Sequence, residues 1–250
     1  MSNGVSDIIT SLVLRTKEIN IKQLPTQGYF YPSDFELSIK RASLDDIFLY
    51  NFNYVKDDIS VILSETKRII SNNIIVNKKY KYEDIKSNDL LYIFFEIVKF
   101  TMNKDIMIPY EDILGTSYVA FKTENFNYFD YSSMNCEYNE KTREFTKDGY
   151  RFSLPSVGVE NSLVKYITNN IKEDMDKNYD FIFLLGNKNK LTKKEIKNLI
   201  MIFNEDLEEK EKENINKIVK LIYPSIGYSL KIDNKIINLD LKINFETLFI

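Results

Sequence analysis

Asp45-Asp46, Asp57-Asp58 and Glu111-Asp112 are adjacent carboxylates of the kind that could hold a divalent cation or move a proton. Each also has a plainer reading. Asp45 and Asp46 follow Ser43, a good N-cap, and fall in the first turn of a helix, where the macrodipole favours negative charge. Asp57-Asp58 stand at the start of the next helical pattern, and Glu111-Asp112 read as loop. The chain has no histidine and one cysteine, Cys136. That composition removes the commonest general base, the usual serine and cysteine triads, and most zinc sites. Cys136 is flanked by Glu137 and Glu140, whereas a reactive thiol needs basic neighbours, so it reads as a small, partly buried filler. Gly158 and Gly227 are isolated and form no phosphate loop. The expectation is a protein that is not an enzyme, with no cofactor, no metal and no small-molecule substrate.

What remains is binding chemistry. Phe126, Tyr128, Phe129 and Tyr131 are a dense aromatic group, readable as sheet core and rim or as an interface patch. Base stacking is a third reading, but the group lacks interleaved Arg and Lys. The net charge is −3 and the sequence pI about 5.3. Lysine pairs such as Lys78-Lys79 and Lys193-Lys194 are short, and the one charge run, Glu205 to Glu213, is mostly acidic. Nucleic-acid binders present a basic patch or stripe, so nucleic acid is an unlikely partner on sequence grounds.

The elements that would carry these residues can be read from periodicity. Hydrophobic residues make up 44% of 250, enough for a real core in one large domain. Seven glycines and five prolines are too few for long linkers. Residues 1–23 read as an N-terminal arm, and 24–250 as a single α+β domain with a weak sub-boundary near 115. Leu24 to Pro32 reads as extended, held by Pro25 and Pro32, with Gly28 free to take positive φ. Phe35, Leu37 and Ile39 alternate with polar residues and predict a strand. Helices are expected over about 58–71, 90–102, 159–171 and 174–185. The 90–102 helix is apolar on most faces and is expected to be central. Asp148-Gly149 predicts a hairpin between Phe145 and Tyr150-Arg151-Phe152. Thr192 with Glu195 predicts a capping box, and Leu191 can staple onto Ile196. Asp206 with Glu209 predicts the start of a last helix, ending before Pro224. A turn at Asp233-Asn234 would pair Leu230 with Ile237 and Tyr228 with Leu239 in a closing hairpin. The sum is a mostly helical body with a small central antiparallel β-sheet and a C-terminal β-hairpin.

Ile8 to Leu14 is too short and interrupted for a signal peptide. Leu90 to Phe100 contains Glu96 and Lys99 and falls short of a membrane span. A lone cysteine fits a reducing compartment. The expected location is a cytosol, or a particle assembled in one.

One segment carries a resemblance. Leu24-Pro25-Thr26-Gln27-Gly28-Tyr29-Phe30-Tyr31-Pro32, then the Glu36 to Ile39 strand, then Ser43-Leu44-Asp45-Asp46, resembles the opening of the T4-type bacteriophage baseplate protein family, which begins Leu-Pro-Ser-x-Gly-x-x-Tyr-Pro. Tyr82 to Ile85 with Asn88 to Leu91, Tyr150 to Pro155, and Lys242 to Phe249 resemble its later blocks more loosely. Many members carry cysteine pairs after the buried helix that look like a zinc ribbon. Here Tyr118 to Cys136 keeps one cysteine. The resemblance implies a structural role for Leu24, Pro25, Gly28, Tyr31, Pro32, Asp45 and Asp46. It further implies a non-enzymatic phage tail protein, a baseplate hub component or hub assembly chaperone, in the host cytoplasm during assembly or in the virion baseplate, with other baseplate or hub proteins as partners. The alternative is a phage regulatory or nucleic-acid-associated protein, which would need a basic face built by Lys78, Lys79, Lys81, Lys188, Lys190, Lys193 and Lys194.

Overall fold

The computed structural model describes residues 16–47, 59–104, 107–112, 115–120, 122, 130–170, 178–186, 188–222, 228–232 and 235–239. The period-2 pattern forms strand β2 (Leu37–Lys40), with Leu37 and Ile39 buried and Lys40 exposed. β2 is the centre of an antiparallel sheet between β1 (Thr16–Ile19) and β3 (Ile74–Val76), with Ile19 opposite Leu37 and Leu37 opposite Val76. Residues 16–23, read from sequence as the inner end of an arm, are therefore part of the folded body. Lys17 of β1 also forms an ion pair with the buried Glu96.

Helix α1 (Ile59–Asn73) leads into β3, and α2 (Leu90–Met102) packs beneath the sheet. Tyr92, Ile93, Phe94, Phe95, Ile97 and Val98 of α2 are all buried, as its apolar sequence requires. Together with Leu24, Tyr31, Phe35 and the sheet they form the first of two apolar clusters among the described residues.

A hairpin of β4 (Met107–Asp112) and β5 (Gly115–Ala120) follows. Glu111 and Asp112, expected in a loop, end a strand, and residue 115 lies inside a hairpin. A second three-stranded antiparallel sheet contains β6 (Glu137–Asn139), β7 (Glu144–Lys147) and β8 (Tyr150–Phe152). Asp148 (φ 51°) and Gly149 (φ 84°) make the tight turn between β7 and β8. Helix α3 (Val157–Asn169) is capped by Ser156, whose Oγ accepts from Val159 N–H. Within the span expected to be helical over 174–185, the described part, 178–186, holds only a 3-10 turn (Asp180–Leu184) before Gly186 (φ 63°). Helix α4 (Lys193–Met201) has the expected Thr192–Glu195 capping box, ends in a π-helical turn (Ile202–Asp206), and is followed by α5 (Glu209–Ile222). Phe145, Phe152, Leu163, Phe181, Ile196 and Ile218 anchor the second apolar cluster.

The closing hairpin pairs β9 (Tyr228–Ile232) with β10 (Lys235–Leu239), with Leu230 opposite Ile237 and Tyr228 opposite Leu239. The architecture is α+β. Among the described residues it has two small three-stranded sheets rather than the single central one expected. Among the described residues, no helix is long and apolar enough to cross a membrane.

Candidate functional site

The Leu24–Pro32 segment is not extended. It is a chain of tight turns: Gln27 N–H donates to Leu24 C=O (2.8 Å), Tyr29 N–H to Thr26 C=O (3.2 Å) and Tyr31 N–H to Gly28 C=O (3.1 Å). Gln27 (φ 54°) and Gly28 (φ 78°) take the left-handed conformation such turns need. The reason lies 63 residues away, in Asp89 at the N-terminus of α2. Its fully buried carboxylate accepts from Thr26 N–H (3.0 Å) and Thr26 Oγ (2.8 Å). It also accepts from the Tyr31 hydroxyl (2.8 Å). The six residues from Thr26 to Tyr31 are drawn into an arch over one carboxylate.

The arch stitches the two apolar clusters together. Leu24 and Tyr31 belong to the cluster of α2, whereas Phe30 belongs to the cluster around Phe145. Tyr29 packs edge-on to Tyr131, Tyr138 and Phe145 at centroid distances of 4.9, 5.2 and 5.5 Å. The Tyr138 hydroxyl donates to Tyr29 C=O. Leu24 and Phe30 both pack on the body, each at or below 2% exposure.

Lys86 extends the network. Its backbone N–H donates to the Tyr31 hydroxyl (2.9 Å), and its ammonium donates to Leu154 C=O (2.9 Å). The ammonium also lies 5.8 Å from the centre of the Phe30 ring. Burial pushes the Asp89 carboxyl up to about 6, against the opposing pull of the Tyr31 and Thr26 hydrogen bonds. Burial likewise pushes the Lys86 ammonium down to about 8; Asp89 counters this, and Arg143 adds to it. The Tyr31 hydroxyl is driven well above its ordinary value by burial and by the Asp89 charge, so it stays a donor.

Beside the arch lies a cleft of about 110 Å³. Phe30, Phe35 and Tyr80 form its aromatic wall, and Lys86 and Arg143 bring positive charge to it. Arg143 is set by the β6–β7 connection. Asn139 Oδ1 accepts from the N–H groups of Lys141 (2.9 Å) and Thr142 (3.2 Å), and Arg143 itself sits at φ 57°. On the far side, Asn189 Nδ2 donates to Asp84 (2.6 Å) and closes the 188–190 loop against the Tyr82–Asp84 turn.

The residues singled out from sequence are distributed as follows. Leu24, Pro25 and Tyr31 are buried in the arch, and Gly28 and Pro32 are half-buried there. Ser43 Oγ accepts from Asp46 N–H (3.0 Å), as an N-cap should, and Asp46 pairs with Arg68 (2.8 Å), while Asp45 is exposed. Tyr131 is not in a strand. It lies in a 3-10 turn with its ring 5.1 Å from that of Phe145. Phe126, Tyr128, Phe129 and Asp57-Asp58 lie outside the described residues. Cys136 is half-buried, and burial raises its thiol. Among the described residues, no three metal-ligating side chains gather. Asp89, Lys86, Thr26 and Arg143 were not singled out as a group by their sequence. A charged residue just before an apolar helix reads as a cap, and nothing local marks it as buried.

Comparison with known protein families, with curated proteins and with solved structures gives no match in any of the three.

Proposed function

We propose that this chain is a non-enzymatic phage tail protein, a T4-type baseplate hub component or hub assembly chaperone, acting through contacts with other baseplate proteins. The observation that carries the reading is the use made of the Leu-Pro-x-x-Gly-x-x-Tyr-Pro residues. Leu24 and Tyr31 fill a core, Gly28 takes positive φ, and Tyr31 bonds the buried Asp89. The resemblance thus falls on residues that specify a fold, where likeness of sequence is best evidence for likeness of architecture. The test is co-purification with tail proteins from infected cells. Presence in purified virions makes the protein a component, presence only in assembly intermediates makes it a chaperone, and presence in neither removes the reading.

One observation favours the nucleic-acid alternative. The Asn189–Asp84 hydrogen bond joins the 188–190 loop, which carries Lys188 and Lys190, to the Tyr82–Asp84 turn that follows Lys78, Lys79 and Lys81 in the chain. Two of those lysines are already paired, Lys79 with Asp34 (2.8 Å) and Lys188 with Glu195 (2.9 Å). Binding to DNA that collapses steeply as salt rises would support that reading, and absence of binding at low salt would eliminate it.

A further inference from the structure

We infer that the cleft between Arg143, Lys86 and the Phe30–Phe35–Tyr80 wall binds a carboxylate presented by an acidic segment of a partner protein. The site stands on its own geometry; that the partner belongs to the tail rests on the function proposed above.

Arg143 is the reason. Its Nε is buried, and among the described residues no acceptor meets it and no carboxylate pairs with its guanidinium. A buried charged donor without an acceptor is destabilising, and such groups recur where a ligand completes the set. Asp84, the acid that lines the cleft, is already engaged. Asp84 accepts from Lys81 N–H (2.7 Å) through one oxygen and from Asn189 (2.6 Å) through the other. Glu144, the next residue in the chain, is directed at Gly186, where a Cβ would lie 2.3 Å from its Oε1.

A carboxylate suits this place better than other anions. The guanidinium fork matches its two oxygens, and the aromatic wall suits the methylene behind it. About 110 Å³ is ample room for a carboxylate and its methylene. Lys79 and Lys188, which could extend the site into a basic stripe, are neutralised by Asp34 and Glu195.

The test uses the purified full chain labelled with ¹⁵N-arginine. Tetra-glutamate, acetate, inorganic phosphate and a short single-stranded oligonucleotide are titrated at constant ionic strength. The expected result is a saturable shift of the Arg143 Nε–H signal with tetra-glutamate and acetate. Arg143→Gln should weaken tetra-glutamate binding by about tenfold or more, the loss expected for a charged hydrogen bond. The exposed neighbour Lys141→Gln should leave it unchanged. No saturable shift with the carboxylates, or equal binding by Arg143→Gln, overturns the inference. Tighter binding of phosphate or of the oligonucleotide overturns the assignment to an acidic protein segment. None of these outcomes depends on whether the chain co-purifies with tails, so the two ideas stand or fall separately.

Discussion

The Tyr31 hydroxyl donates to Asp89 at 2.8 Å while accepting from the backbone of Lys86 at 2.9 Å, so one phenol ties the N-terminal arch to the start of α2 and to the strand-like segment before it. That segment is itself bound to the far side of the molecule. Lys86 bridges to Ser156, Val157 N–H donates to Ile85 C=O (2.8 Å), and Ser87 N–H donates to Pro155 C=O (3.1 Å). The joint between the two apolar clusters is therefore a polar one, made of buried groups that are costly to leave unpaired.

Asp89→Ala should be among the most damaging single changes in the chain. It strands the Thr26 N–H and hydroxyl and the Tyr31 hydroxyl, and it removes the negative charge that offsets Lys86. Breaking a buried charged network of this kind costs about 3–5 kcal/mol. Tyr31→Phe should cost less, about 1.5–3 kcal/mol, because Thr26 still holds the carboxylate. Urea unfolding followed by circular dichroism and tyrosine fluorescence checks both. The idea of a joint also predicts that the wild type unfolds in one transition and that Asp89→Ala splits it in two.

Asp89 also gives stability a pH dependence of unusual sign. Its folded-state pKa, about 6, lies above its ordinary value of 3.8. The folded protein therefore binds the proton more tightly than the unfolded chain, and raising the pH from about 4 through about 6 withdraws stability until the carboxyl is ionised near pH 7. Roughly two units at about 1.4 kcal/mol each amount to about 3 kcal/mol. The stability difference between Asp89→Asn and wild type should move in favour of Asn by that order across this window and level off above about pH 7. A difference that is flat from pH 4 to 7 would show that Asp89 is ordinary.

Much of this fold was legible because local chemistry decides it. Ser43 capping Asp46, the Thr192–Glu195 box, the Asp148-Gly149 turn and the β9–β10 register each depend on residues within a few positions of one another. The arch was not legible. Pro25 and Pro32 argue for an extended chain, and only the buried carboxylate of Asp89, far along the sequence, curls it. For the same reason β1 read as arm, since Thr16–Ile19 has no strand period of its own and gains its place by pairing with β2. Arg143 stands in a polar connection that reads as an ordinary exposed turn, and its cleft exists only when three separate segments meet.

Lys86→Met tests how the two buried charges share the joint. The Lys86 ammonium helps to hold the Asp89 carboxyl down, against burial. Replacing it with an uncharged side chain of similar length should move the Asp89 titration upward from about 6, with the protonated form persisting closer to neutral pH. Carbon-13 NMR of the Asp89 carboxyl across a pH series reads this directly. A titration that stays in place or moves down would mean that Lys86 exerts no field at Asp89.

Gly158→Ala should be destabilising for a reason unrelated to helix propensity. Gly158 lies in the first turn of α3, where alanine would ordinarily favour the helix. A Cβ there, however, would lie 1.9 Å from Asn189 C=O and 2.9 Å from Glu83 Cβ. Backbone is the obstacle, so the 188–190 loop must move off the helix, and with it the Asn189–Asp84 hydrogen bond and one side of the Arg143 cleft. The expected loss is about 1–3 kcal/mol, the range for overpacking. Hydrogen exchange should rise selectively at 188–191 and at the Lys81–Ile85 turn, while α2 stays protected. A stabilised Gly158→Ala protein would show instead that the loop closes on α3 less tightly than 1.9 Å implies, and the cleft would lose its far wall.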